Sequence, residues 1–295
     1  MVVWERLIRF EASDGGTYFG QPIIQNERED IASIADSGEL QAAVIEGDDV
    51  FADSATVTPN VKKVHKLLGP LTSSEVPIIR CVGLNYQKHI QEGGRSPPPY
   101  PSMFVKPAEC VADHDSVVYI PPLAQEEQLD YEGELTIVIG KDGKDISPRN
   151  ALDYVAGYTV GNDLSARKWQ RDPAYAGGVP QWCFSKGFDH FAPLGPSIVS
   201  TVKLGDASGL RLRTLVNGEV RQDTDTSDLL FGVKTLVSFL SQGTTLKKGS
   251  LIMTGTPSGV AMGMQEPKWL KDGDVIEVSV ERIGSLRHRV SFTAP

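Results

Sequence analysis

Cysteine is scarce and unpaired in this chain. Cys81, Cys110 and Cys183 are odd in number, widely spaced, and form no C-x-x-C pair. That argues against a disulfide framework or a zinc–thiolate site and reads as reduced thiols in a cytoplasmic protein. No apolar run approaches the roughly 20 residues of a membrane span. The opening MVVWERLIRFEASDGG mixes charges of both signs and reads neither as a signal peptide nor, with its acids, as a mitochondrial leader. Lys and Arg total 29 against 38 Asp and Glu, a net charge of −9, so a nucleic-acid surface of clustered cations is not expected. Neither G-x-x-x-x-G-K-[ST] nor a G-x-G-x-x-G following a strand is present, so a nucleotide cofactor is not expected. G-x-S-x-G is also absent, and the histidines offer no obvious Ser–His–acid set.

What is present is an ordinary globular composition, 40% apolar and 23% charged, in a 295-residue chain long enough for a substantial core. Residues 1–72 read as a small β-rich domain. RLIRFEA alternates, GGTYFGQPI follows a turn, and LQAAVIEGDDVFA suggests two strands around Gly-Asp-Asp. VKKVHKLLGPL then suggests a short helix, with Val61, Val64, Leu67 and Leu68 at helical spacing and a stop at Gly69-Pro70. Residues 73–295 form the motif-bearing domain. Strand patterns separated by Pro and Gly loops dominate it, and one clear helix is expected over roughly 228–243, ended by Gly243. With no βαβ rhythm and no repeat, the fold class is mostly β (α+β) with a few helices.

The stretch DYEGEL places Asp130, Glu132 and Glu134 at alternate positions directly before an apolar strand. Residues two apart share a strand face, so Glu132 and Glu134 stand roughly 6–7 Å apart on one side. Their repulsion calls for something positive. Asp163, at the end of the apolar strand GYTVGND, could join them. Such hard oxygen donors, without His or Cys nearby, favour Mg²⁺, Mn²⁺ or Ca²⁺ over zinc. The alternative is a solvated strand face.

Four further features could carry chemistry. In GLNYQKHIQEGG, Asn85 can cap a short helix on which His89 and Glu92 lie three apart, so the carboxylate could orient the imidazole to take a proton from water. Lys186, in WCFSKGF, could hold a carboxylate or enolate oxygen, or be only a snorkelling strand-end lysine. Arg167 could be a carboxylate fork or a structural partner of the acids. In MTGTPSGVAMG, free N–H groups and the Thr256 hydroxyl could cradle a carboxylate. The Gly- and Pro-rich stretch EGGRSPPPYPSMF (92–104) could be a lid or a plain connector. Phe104, Trp169, Tyr175 and Trp182 could line a pocket or simply pack.

Taken in order, CVGLNYQKHIQE, MFVKP, DYEGELTIVIGK, DYVAGYTVGNDLSARKWQ, FSKGFDHFAPLGP, LVNGEVRQDTDTSDLLF and GTTLKKGSLIMTGTPSGV resemble the fumarylacetoacetate hydrolase family across residues 75–292. The resemblance implies a rolled β-sandwich, usually dimeric, often with a small N-terminal unit. It implies Glu132, Glu134 and Asp163 as metal ligands, His89 and Glu92 as a water-activating dyad, and Lys186, Arg167 and Thr256 near substrate or enolate. The best-known member is longer, with a larger N-terminal domain. This chain is closer to the shorter branch that acts on small 2-oxo and 2,4-dioxo acids. The expected activity is Mg²⁺- or Mn²⁺-dependent hydrolysis of a C–C bond in an acylpyruvate-like acid. Oxaloacetate decarboxylation or keto–enol tautomerisation is the alternative on the same site. A non-catalytic binding protein would be marked by a missing ligand or dyad residue, and all five are present.

Overall fold

The computed structural model describes residues 2–92, 94 and 96–294, with Glu92 described by its backbone alone. Strands dominate, and the longest helix among the described residues has eight residues. The mostly β reading holds. An eleven-stranded sheet runs in the order Thr17–Pro22, Gln41–Glu46, Thr56–Leu67, Arg6–Ala12, Ala192–Ser200, Val155–Asn162, Gly133–Ile139, Leu251–Met253, Ile79–Gly83 and Ser102–Lys106, with Val111–Ala112 beside Ala192–Ser200. A five-stranded sheet of Glu219–Asp225, Arg211–Val216, Val275–Val280, Gly284–Phe292 and Ser116–Ile120 packs on it. Leu135, Ile137 and Val160 from the first sheet share one core with Leu212, Val278 and Leu286 from the second.

Strand Gly133–Ile139 is buried along its whole length because both of its faces are covered. Alternation sends Gly133, Leu135 and Ile137 toward the second sheet and Glu134, Thr136 and Val138 the other way. The sheets approach so closely at Gly133 that a Cβ there would lie 2.1 Å from Thr214 Oγ1 and 2.8 Å from Val278 Cγ1. This explains the Glu-Gly-Glu pattern. Each glutamate faces the site, and the residue between them has no room for a side chain.

Three local expectations differ from the structure. VKKVHKLLGPL is not a helix: residues up to Leu67 belong to strand Thr56–Leu67, paired on both sides by Gln41–Glu46 and Arg6–Ala12. A register shift against Glu11/Ala12 spaces Val64 and Leu67 like a helix, while Val61 stays 45% exposed. In LQAAVIEGDDVFA only Gln41–Glu46 is a strand; Val50 and Phe51 follow in a turn whose Phe51 N–H bonds Asp49 Oδ1. The long helix over 228–243 is only Val233–Leu240, because Leu229 bridges to Tyr86, Leu230 N–H donates to Asn85 O, and Gly232 is extended.

Candidate active site

Antiparallel pairing explains how acids 30 residues apart meet. Strand Gly133–Ile139 pairs with Val155–Asn162 so that Gly133 faces Asn162 and Glu134 faces Gly161. One step beyond, Asp163 N–H donates to Glu132 O at 2.9 Å. Asn162 fixes this corner, accepting from Glu132 N–H at 2.8 Å and donating to His288 Nε2 at 2.8 Å. Glu132, Glu134 and Asp163 are all buried, and one potential ligand oxygen from each lies within 4.8 Å of the others. Three converging carboxylates on rigid strands, with no His or Cys among them, suit a hard divalent cation.

The positive charge that DYEGEL calls for is partly supplied by the protein. Lys186 Nζ donates to Glu132 Oε2 at 2.7 Å, Asp163 Oδ2 at 2.6 Å and Ser165 Oγ at 2.7 Å. Arg167 donates to Asp130 Oδ2 at 2.8 Å through Nε, to Glu132 Oε1 through Nη2, and to Gln170 Oε1 at 2.9 Å through Nη1. Lys106 Nζ sits 2.6 Å from Asp163 Oδ1. The angle there is not that of a directed hydrogen bond, and its hydrogens go to Phe191 O at 2.6 Å and Leu164 O at 3.3 Å. Three cations thus face four acids, and Glu134 has no ion pair among the described residues.

Protonation follows this layout. Burial works to raise Glu132, but Arg167 and Lys186 overcome it and hold the carboxyl below its usual range. Glu134 goes the other way: burial, then the charges of Asp163 and Glu132, push it well above normal against one Gly255 N–H at 2.7 Å. Burial would lower Lys186, but Asp163 and Glu132 raise it. The site is short of positive charge at Glu134, where a divalent cation would supply it.

The other candidates are placed as follows. His89, on helix Gln87–Glu92, lines a recess of about 50 Å³ with Glu132, Arg167, Lys186 and Thr256, and its charge acts on Glu132. The side chain of Glu92 and the Gly93 hinge of the lid reading lie outside the described residues; farther along that stretch Tyr100 stacks on Phe239. Asn85 does not cap the helix, because its side chain bonds Phe231 N–H, Phe231 O and Thr254 O; Lys88 N–H instead meets Asp228 Oδ2 at 3.3 Å. The N–H groups of MTGTPSGVAMG do hold carboxylates, but the protein's own: Gly255 holds Glu134, and Ala261 and Met262 hold Asp130. Thr256 Oγ1 donates to Gly133 O and accepts from Gln222 Nε2. Phe104 and Trp182 line the recess, while Trp169 packs on Tyr175 and Phe184.

Sequence reasoning gave no role to Lys106, Gln170 or Ser165. Lys106 alone had a visible signal: in SMFVK it falls on the same strand face as Phe104, a charge at a buried position.

The chain matches the Fumarylacetoacetate (FAA) hydrolase C-terminal family over residues 78–291. It belongs to the fumarylacetoacetate hydrolase family. A caffeoylpyruvate hydrolase of Neonothopanus nambi is 40% identical across 97% of this chain and 93% of its own length. The oxaloacetate tautomerase YisK of Bacillus subtilis is 37% identical across 86% of each chain. Among solved structures, a fumarylpyruvate hydrolase from Pseudomonas aeruginosa in complex with Mn²⁺ and pyruvate superposes with a TM-score of 0.65 at 33% identity, covering 74% of this chain and 91% of that one. These are relatives in the shorter branch of the fumarylacetoacetate hydrolase family, as the motifs implied.

Proposed function

We propose that this enzyme hydrolyses a C–C bond in a small acylpyruvate-like 2,4-dioxo acid, using a divalent cation held by Glu132, Glu134 and Asp163. The observation that carries the reading is the buried three-carboxylate cluster beside His89 and Lys186. The names of the Neonothopanus and Pseudomonas relatives support the substrate class. When bound, the cation supplies Lewis acidity toward the 2-oxo oxygen and the carboxylate of the substrate. Mn²⁺ is supported by the Pseudomonas structure, and Mg²⁺ suits the same donors.

The chain's own groups then divide the work. His89 takes a proton from water, and the resulting hydroxide bonds to the distal carbonyl carbon. The bond between that carbon and the adjacent CH₂ breaks, and its electron pair passes into the enolate of the pyruvate half. The Lys186 ammonium, its three N–H groups held by Glu132, Asp163 and Ser165, adds positive charge where that enolate develops. The carbanion carbon takes the proton that His89 removed from water, which restores neutral His89 and gives pyruvate and the carboxylic acid of the acyl half. Arg167 fixes Glu132 and Asp130 and, with Thr256, borders the substrate. Glu92 is assigned to orient His89.

The Bacillus relative favours a second reading, keto–enol tautomerisation of oxaloacetate, with decarboxylation as its neighbour. Both pass through an enolate and need no attacking water, so His89 would serve only to move a proton. A proton NMR time course on the Mn²⁺-free, Mg²⁺-loaded enzyme separates these readings. Acetate and pyruvate from acetylpyruvate, with oxaloacetate unchanged, support the hydrolase. Accelerated enol–ketone exchange or loss of CO₂ from oxaloacetate, with acetylpyruvate intact, replaces it.

The reading extends to a homodimer in the cytoplasm with residues 1–72 as a domain. Free Cys81, Cys110 and Cys183 support a reducing compartment. The edge strand Ser116–Ile120, with Val117 and Tyr119 exposed, supports self-association, which light scattering would test.

A further inference from the structure

Two carboxylates of the cluster have one oxygen hydrogen-bonded by an outer donor, and the third has one oxygen faced by an outer ammonium without a directed hydrogen bond. Arg167 Nη2 takes Glu132 Oε1, Gly255 N–H takes Glu134 Oε2, and the Lys106 ammonium stands against Asp163 Oδ1 at 2.6 Å. The opposite oxygens of two of the carboxylates, Glu132 Oε2 and Asp163 Oδ2, converge on Lys186 Nζ, and one oxygen from each of the three acids lies within 4.8 Å of the others. None of the three outer donors is free to withdraw. Lys106 has no exposed surface and is tied to the Phe191 and Leu164 carbonyls. Arg167 is held by Asp130 and Gln170. Gly255 has φ +100, with its Cα hemmed in so that a Cβ would lie 2.9 Å from Val82 O.

This arrangement bears on metal choice. Ca²⁺ gathers six to eight oxygens and commonly takes carboxylates through both oxygens, whereas Mg²⁺ and similar small ions need a compact six-coordinate shell. We propose that Lys106, Arg167 and the Gly255 amide limit the three acids to one inward oxygen apiece, and so select a small six-coordinate cation over Ca²⁺. In this account Lys106 is a positioning residue: its ammonium repels any cation approaching Asp163 Oδ1. The inference rests on the metal-site reading above.

Isothermal titration of the metal-free, full-length protein with MnCl₂ and with CaCl₂ tests it, on the wild type and on Lys106→Met. The wild type is expected to bind Mn²⁺ at least about tenfold more tightly than Ca²⁺. Lys106→Met should narrow that ratio by about tenfold, the lower end of what outer-shell partners contribute to metal affinity. A merely structural role would weaken both cations together and leave the ratio unchanged, and that result overturns the proposal. So does a wild type that binds Ca²⁺ as tightly as Mn²⁺. If Lys106→Met fails to fold, as judged by circular dichroism, Arg167→Gln makes the same ratio test at Glu132. A folded wild type that binds neither cation would instead sink the metal-site reading itself.

Discussion

Lys186 touches three oxygens at once, two of which the cluster would also offer to a cation. Its replacement therefore has two effects of opposite sign. Lys186→Met should lower kcat by about 10²–10³, the usual loss on removing one donor to developing negative charge. Mn²⁺ affinity by calorimetry should not fall, because an ammonium that shares those oxygens is gone. Loss of Mn²⁺ binding would show Lys186 to be a structural support instead. His89→Ala should cost hydrolysis about 10²–10⁴ while Mn²⁺ binding is kept. A variant that retains hydrolysis would move the base elsewhere.

Two other histidines govern stability. Burial pushes the His114 imidazole down to about 4; burial, and then the nearby His114 charge, push His288 down to about 3. Both stay neutral in the fold, whereas in the unfolded chain they titrate near 6.5. The unfolded state therefore binds protons first, so stability is full above about pH 6.5 and falls as the pH drops toward 4. At pH 5 each group removes at most about 2 kcal/mol. Urea midpoints at pH 7.5 and pH 5 check this, and equal midpoints would contradict it.

At the scale of elements, helix Trp182–Lys186 is positioned by a glycine on another strand. A Cβ on Gly83 would meet Trp182 Cζ3 at 2.1 Å and Cη2 at 2.5 Å. Gly83→Ala must therefore push the indole, and with it the helix that ends in Lys186. Overpacking of this kind costs about 1–3 kcal/mol. The melting temperature should drop modestly while kcat drops further, since Lys186 loses its place; a variant with full kcat would mean that the indole moves alone. The sequence showed the Lys186 segment but not this dependence, because the two residues lie 99 positions apart and no pattern along the chain links them. The acids were legible because alternation on one strand and an acid at the end of the next are local signals. Their outer partners were less so. Lys106 reaches Asp163 from a strand four places away in the sheet order, and the Gly255 amide is a backbone group that no side-chain motif announces. The false helix at 61–68 has the same origin, since a register shift imitates helical spacing and only the pairing on both sides settles it.

At the scale of the molecule, the question is how residues 1–72 relate to the site-bearing remainder. Strand Arg6–Ala12 is hydrogen-bonded into the larger sheet, with Arg6 opposite Val199 and Leu7 opposite Ile198. Trp4, Leu7, Ile45 and Val50 lie in one buried cluster with Ile79, Leu194, Ile198 and Leu251. Arg6 adds a crosslink, donating to Glu27 O and, at 2.7 Å, to Arg282 O. A core shared across this boundary couples the two parts, since unfolding either one exposes the apolar face of the other. The expected result is a single unfolding transition, with calorimetric and van't Hoff enthalpies in agreement. Leu7→Ala, which empties a fully buried position in that cluster, should cost about 2–5 kcal/mol and lower the one transition as a whole. Two resolved transitions, with Leu7→Ala shifting only the first, would instead make residues 1–72 an independently stable domain resting on the enzyme.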